Sequence, residues 1–181
     1  MPDVQLNIND LHERHVGLTP ALGTSFSEAA SVCFSRHHLS PVQVAIRNAA
    51  SSCSRSVEFL APDERTSAAW ANVTDTTESG AYGVSLAAIE SEEGLIAVGR
   101  AETLTGADWY VAPVGSNVGD FEECFRLEVS GTDAGDEATV QARLKQKLEQ
   151  ARKGKSNLPA IASVVGFKEK LIAISRMVTP E

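Results

Sequence analysis

The sequence feature that most constrains the fold is a nearly continuous apolar run, PAIASVVGF, at residues 159–167. Strands that are covered on both faces read as unbroken hydrophobic runs, whereas half-exposed strands alternate apolar and polar residues. The run is far shorter than the roughly 18 apolar residues that a membrane-spanning helix needs. It therefore predicts a central strand in a sheet that carries helices on both faces.

The residues before and after this run show helical and strand periodicity in a definite order. The predicted elements are a helix at 76–91, strands at 94–100, 107–113 and 124–130, a helix at 138–153, and strands at 159–165 and 170–178. Three antiparallel strands joined through a helix to a further strand imply a mixed α/β sheet in one layer.

The first part of the chain is less regular. A helix is predicted at 24–38 and a strand at 42–49, so residues 24–75 should form an N-terminal extension of the sheet. Residues 1–22 are polar and aperiodic and are expected to be loosely ordered, and residues 50–75 receive no assignment. With 181 residues, the chain is expected to form one α/β domain, ending in a final strand and tail at 166–181.

Composition excludes several classes of site. The three cysteines form no CxxC pair, which argues against a zinc ribbon and suits a reducing compartment. HERH and the adjacent histidines at 37–38 lack the other ligands of a zinc set, and RKGKS lacks the first glycine of a phosphate-binding loop. The start of the chain has no signal-peptide pattern, so a cytoplasmic, non-membrane protein is expected.

Charge is distributed unevenly along the chain. Residues 1–140 contain 7 Lys and Arg but 21 Asp and Glu, whereas residues 141–176 contain nine Lys and Arg and two Glu. The basic segment is either a solvated helix face or a surface for a polyanion such as nucleic acid. The candidate nucleic-acid contacts are Arg143, Lys147, Arg152, Lys153 and Lys155. The acidic part would suit a basic protein partner, and a second copy of the chain is also a candidate partner.

Two carboxylates are predicted to lie close together on neighbouring strands. In the strand at 124–130, Phe125, Leu127 and Val129 share the core face, so Glu128 points to the other face. Asp108 begins the preceding strand and could face Glu128 across the sheet. Two close carboxylates repel each other unless a proton or a cation lies between them, and Mg²⁺ is a natural bridging ion.

This arrangement resembles the PD-(D/E)xK nuclease superfamily, whose core runs helix, three-stranded meander, helix and strand, as residues 76–165 do. That family carries an acid on the first core helix, an Asp on the second strand and (Asp/Glu)-x-Lys on the third. Glu78, Asp108 in GADWYV and Glu128 in RLEVSGT match these positions. The resemblance implies a restriction-endonuclease-like fold and a nuclease-like phosphodiester hydrolase, or a nuclease-derived subunit of a nucleic-acid-processing or defence complex. It also implies that the three carboxylates hold Mg²⁺, or Mn²⁺.

The chain departs from the family pattern at two positions. The family lysine, which positions or activates the attacking water, would fall at Ser130, and Ala107 stands where the family has a proline. Some family members carry the lysine elsewhere, which makes Lys145 or Lys147 a candidate, and others have lost catalysis. The predicted catalytic residues are Glu78, Asp108, Glu128, Ser130 and Lys145. The alternative function is an inactive assembly or recognition subunit that keeps the fold and binds a partner protein.

Each carboxylate also has a purely structural interpretation. Asp108 could accept a backbone hydrogen bond at the start of its strand, and Glu128 could pair with Arg126 or Arg100. Glu78 could interact with the dipole of its helix.

Overall fold

The apolar run forms the central strand of a seven-stranded mixed sheet. The computed structural model describes residues 4–177, in which all seven residues of this strand are buried. The strands are β1 (Val42–Arg47), β2 (Ser52–Val57), β3 (Leu95–Arg100), β4 (Trp109–Pro113), β5 (Phe125–Thr132), β6 (Ala160–Gly166) and β7 (Leu171–Met177). Their order across the sheet is β2-β1-β7-β6-β5-β4-β3. β6 pairs parallel with β5 and antiparallel with β7, and β1 pairs parallel with β7, so the sheet is mixed as predicted.

Helices cover both faces of this sheet. They are α1 (Leu11–Arg14), α2 (Pro20–Ser35), α3 (Glu64–Ala69), α4 (Val73–Glu93) and α5 (Glu137–Lys153). The largest core cluster contains α2 and α4 residues together with Leu127 and Val129 of β5, the predicted core face of that strand. On the opposite face, Val140 and Leu144 of α5 pack against β6 and β7. The prediction of a single α/β domain with helices around a mixed sheet is confirmed.

Local sequence signals set the ends of the two helices that border the site. The side chain of Asn72 accepts hydrogen bonds from the N–H groups of Thr74 and Asp75, so α4 begins three residues earlier than predicted. Gly94, with a φ of 64°, ends α4 in the left-handed conformation that favours glycine. Asp136 caps α5 by accepting from the N–H of Thr139.

The prediction of loose order at 1–22 is wrong for residues 4–22. Leu6, Ile8 and Leu11 are at most 1 % exposed and belong to the main core. The backbone of residues 4–6 hydrogen-bonds to Ser56 and so covers the outer edge of β2. The segment does carry a short strand-like signal, because Val4, Leu6 and Ile8 alternate with polar residues, and Leu6 and Ile8 are the ones that pack into the core. Residues 1–3 and 178–181, the latter part of the predicted tail, lie outside the described residues.

The segment that received no assignment extends the sheet. Residues 50–75 contain β2, α3 and the start of α4, and β2 forms an antiparallel hairpin with β1. Within residues 24–75, β1 and β2 extend the sheet beyond β7. Among the described helices, none is both long enough and apolar enough to cross a membrane.

Candidate functional site

A cleft of about 340 Å³ opens where the first half of α4, the end of β5 and α5 meet. Its lining includes Glu78, Asp108, Ser130, Arg143 and Lys147. The cleft therefore brings together two cations and three carboxylates that are distant in the sequence. The third carboxylate, Asp133, is already paired with Arg36.

Gly131 allows α4 to approach β5 at this cleft. A Cβ atom at position 131 would lie 3.0 Å from the carbonyl oxygen of Thr77 and 2.9 Å from Cβ of Ala81. Any larger residue would push α4 outward and move Glu78, one residue after Thr77, away from the strand. The closeness of helix and strand thus depends on a glycine that the sequence analysis did not single out.

Asp108 lines the cleft and is held at both carboxylate oxygens. Its Oδ2 accepts a hydrogen bond of 2.7 Å from the backbone N–H of Val129, and its Oδ1 lies 3.2 Å from the hydroxyl of Tyr82. The structural interpretation of Asp108 is thus correct as far as the backbone contact goes. Asp108 also lines the cleft, so the same contact fixes a carboxylate that faces solvent.

Glu78 reaches Asp108 through Tyr82. The Tyr82 hydroxyl donates towards Glu78 Oε1 at 3.0 Å and accepts a hydrogen bond of 3.1 Å from Arg100. Glu78 lies beyond the first turn of α4, where the helix dipole interacts only weakly with a charge, so its dipole interpretation is not supported. Sequence reasoning missed Tyr82, although its spacing of four residues from Glu78 on a predicted helix places the two side chains on one face.

Glu128 is buried and forms an ion pair with Lys147. Lys147 Nζ lies 3.0 Å from Glu128 Oε2, and the side chain of Glu128 is only 7 % exposed. Burial raises the pKa of Glu128, the charge of Asp108 raises it further, and the bond from Lys147 only partly offsets these effects. Glu128 therefore takes up a proton more readily than an ordinary glutamate does.

The two arginines that were considered as partners of Glu128 have other roles. Arg126 donates to the carbonyl oxygens of Leu158, Thr105 and Ala151, and so fastens the end of α5 to the sheet. Arg100 lies 4.7 Å from the ring centroid of Tyr82 and donates to its hydroxyl. The prediction that one of them pairs with Glu128 is wrong, because the partner comes from α5.

The predicted catalytic lysine also needs correction. Lys145 lies on the exposed side of α5, whereas Lys147 enters the cleft. Two residues correspond to about 200° of helical rotation, so the two lysines cannot share a face, whereas Arg143 and Lys147 are one turn apart. Ser130 lines the cleft and accepts a hydrogen bond of 3.4 Å from Arg143, which also donates to the carbonyl of Gly131 at 3.0 Å.

The remaining basic candidates form a separate group. Arg152, Lys153 and Lys155 are exposed at the C-terminal end of α5, outside the lining of the cleft. Of the five predicted nucleic-acid contacts, the structure therefore brings only Arg143 and Lys147 to the carboxylates.

The predicted three-carboxylate metal site is not assembled. Among residues 4–177, no three His, Cys, Asp or Glu side chains are grouped closely enough to hold a metal ion. Mg²⁺, however, binds proteins through one or two carboxylates and keeps several waters. Glu78 and Asp108 supply two hard oxygen ligands in a solvent-open cleft, so the donor set fits such a partly hydrated ion.

Comparison of the chain with models of protein families, with curated proteins and with solved structures finds no match.

Proposed function

We propose that this protein is a metal-dependent phosphodiester hydrolase with a PD-(D/E)xK-like site. The observation that carries the proposal is the cleft, whose lining contains Glu78, Asp108 and Lys147, a lysine that is paired with Glu128. These residue types stand at the family's positions, apart from the lysine, which here comes from α5.

The order of elements supports the same proposal. The segment α4-β3-β4-β5-α5-β6 has its elements in the order helix, three strands, helix and strand, which is the order that the resemblance implies. The first acid stands on the helix, Asp108 at the start of the second strand and Glu128 on the third. These are the relative positions that the resemblance requires for a restriction-endonuclease-like core.

Glu78 and Asp108 would hold Mg²⁺ or Mn²⁺ within the cleft. Such an ion stabilises the charge that develops on a phosphate and lowers the pKa of a bound water. The chain's contribution is to fix the ligands, and the bond from Val129 N–H to Asp108 does so before any ion binds.

Lys147 takes the role that the family assigns to the lysine of the third strand. Its ammonium group has three N–H donors, of which one is used by Glu128, so two remain for a water or a phosphate oxygen in the cleft. Arg143, one turn earlier on the same helix, presents a second cation at the cleft. The pair places positive charge where a phosphodiester would lie between α5 and the carboxylates.

Nucleic acid is the substrate class that these charges fit. Arg152, Lys153 and Lys155 add a second group of exposed positive charges at the C-terminal end of α5, outside the cleft. A backbone of repeated phosphates would contact both groups, whereas an isolated phosphodiester would contact only the cleft.

The test compares Lys147→Met with Lys145→Met on single- and double-stranded DNA and RNA in the presence of Mg²⁺ or Mn²⁺. Lys147→Met is expected to lower the cleavage rate at least about 10²-fold, the scale for removing one group that stabilises transition-state charge. Lys145→Met removes the same charge from the exposed side of the same helix and should leave the rate within about twofold.

Equal rates in the two variants would contradict the assignment of Lys147. If the wild-type chain cleaves none of the four polymers with either ion, the catalytic proposal fails. That result would favour the inactive assembly subunit, for which the strongly acidic composition of residues 1–140 provides a surface for a basic partner.

A further inference from the structure

We propose that Tyr82 is a positioning residue that holds Glu78 and Asp108 as a two-carboxylate ligand pair for a divalent cation. The inference rests on the proposed function, because it concerns the same cleft. It adds a residue that the family motif does not contain.

The hydroxyl of Tyr82 is the point where the two carboxylates meet. It lies 3.0 Å from Glu78 Oε1 and 3.2 Å from Asp108 Oδ1, although these acids come from a helix and from the start of a strand. The ring is only 6 % exposed and packs edge-on against Trp109 and tilted against Phe26. The hydroxyl position is therefore fixed by buried packing and not by the carboxylates themselves.

Arg100 determines which way the hydroxyl proton points. The Arg100 guanidinium donates to the Tyr82 oxygen at 3.1 Å, and it lies 4.7 Å from the Tyr82 ring centroid and 4.9 Å from that of Trp109. Since one lone pair of the oxygen is taken by Arg100, the proton is directed to the carboxylates.

The contact has one proton for two carboxylate oxygens. A tyrosine hydroxyl can donate to only one acceptor at a time, so either Glu78 or Asp108 lacks a donor at this point. When two carboxylates lie close together and only one of them receives this hydrogen bond, their mutual repulsion favours the binding of a proton or a cation. The arrangement thus keeps the acids close while leaving negative charge for an ion in the cleft.

The experiment measures Mn²⁺ affinity by isothermal titration calorimetry for wild type, Tyr82→Phe and Tyr110→Phe. Tyr110 is a matched control, since its ring is 7 % exposed and its hydroxyl donates to a carboxylate, Glu102, at 2.8 Å. Tyr82→Phe is expected to weaken Mn²⁺ binding about 10- to 100-fold, as is typical when a residue that orients metal ligands is lost. Tyr110→Phe should bind Mn²⁺ as wild type does.

A second measurement does not depend on how Tyr82→Phe folds. The chain has two tyrosines, so labelling with 3-fluorotyrosine gives two fluorine NMR signals, which Tyr110→Phe assigns. Addition of Mg²⁺ should shift the Tyr82 signal and leave the Tyr110 signal in place, because only the Tyr82 hydroxyl contacts the proposed ligands.

The outcomes separate this inference from the proposed function. If wild type binds Mn²⁺ and Asp108→Asn abolishes binding, but Tyr82→Phe binds equally well and the Tyr82 signal does not move, the positioning role is overturned while the metal site stands. If wild type binds no Mn²⁺, the proposed metal-dependent function fails and the inference fails with it. A lower unfolding temperature of Tyr82→Phe with unchanged Mn²⁺ affinity would show a purely structural role.

Discussion

Glu90 is partly buried and Glu128 is buried, and both have basic partners, but their surroundings shift their pKa values in opposite directions. Arg14 donates to both carboxylate oxygens of Glu90 at 2.9 Å, and the Nε2 of His15 lies 3.2 Å from Oε2. Burial raises the pKa of Glu90, but the bonds from His15 and Arg14 outweigh it and hold the pKa below its ordinary value. Glu128 has one partner, Lys147, and its pKa is raised.

The difference separates a structural cluster from a candidate site. His15 accepts the N–H of Ala97 at its Nδ1, so its ring donates from Nε2 to Glu90 and every polar atom of the cluster has a partner. This cluster joins the N-terminal segment to α4 and β3. Glu128, by contrast, is incompletely compensated beside an open cleft, which is typical of carboxylates that take part in proton or metal chemistry.

The largest expected effect is on cleavage by Glu128→Gln. Under the proposed function Glu128 orients Lys147, and a neutral amide orients an ammonium group more weakly than a carboxylate does, so the rate should fall about 10²-fold, or about 3 kcal/mol in activation free energy. The amide oxygen of Gln can still accept from Lys147, and a buried charge is removed. The free energy of unfolding should therefore stay within about 0.5 kcal/mol of wild type or rise.

Cleavage rates and urea unfolding of the same preparations check this prediction, with Glu102→Gln as a control for loss of an exposed carboxylate outside the cleft. A Glu128→Gln variant that cleaves at the wild-type rate would remove Glu128 from the site. One that unfolds much more easily would make it a structural residue like Glu90.

Glu90→Gln is expected to lower the stability of the protein and to leave the cleavage rate unchanged. The amide nitrogen cannot accept from Arg14 or His15, so at least one buried charge-assisted hydrogen bond is lost. We expect a loss of about 1–3 kcal/mol in the free energy of unfolding, measured by urea denaturation. Once the protein is folded, its cleavage rate should match that of wild type, and a reduced rate at full folding would mean that the two regions are coupled.

The two clusters also show which parts of the fold could be read from the sequence. The central strand, the order from α4 to β6 and the core face of β5 follow from apolar periodicity, and the structure confirms them. The N-terminal segment was missed, because its alternation at Val4, Leu6 and Ile8 is very short and its position depends on long-range contacts such as Arg14 with Glu90, which lie 76 residues apart.

Most residues of the candidate site were named from the sequence, but the choice between Lys145 and Lys147 as the lysine in the cleft was wrong. Strand alternation identified Asp108 and Glu128, since side-chain direction in a strand follows from counting residues. The choice of Lys147 over Lys145 depends on how α5 is rotated against the sheet, and Val140 and Leu144 set that rotation by packing on β6 and β7. Tyr82 was missed because a tyrosine in an apolar helix reads as core until its hydroxyl partners are known.

The smallest expected effect is on the pH dependence of the free energy of unfolding. The contributions of Glu90 and Glu128 should change with pH in opposite directions. Glu90, with a pKa held below the ordinary glutamate value of 4.5, contributes stability that is present above that value and lost as the pH falls below it. Glu128, with a pKa raised above 4.5, contributes stability that is present below that value and lost as the pH rises through its raised pKa.

Urea unfolding of wild type and of both Gln variants at several pH values between about 3 and 7 isolates each group by difference. The advantage of wild type over Glu90→Gln should grow as the pH rises from the acid end, whereas its advantage over Glu128→Gln should shrink. If the difference in free energy of unfolding from wild type changes with pH in the same way for both variants, the surroundings of the two glutamates shift their pKa values in the same direction. The contrast between the structural cluster and the candidate site would then be wrong.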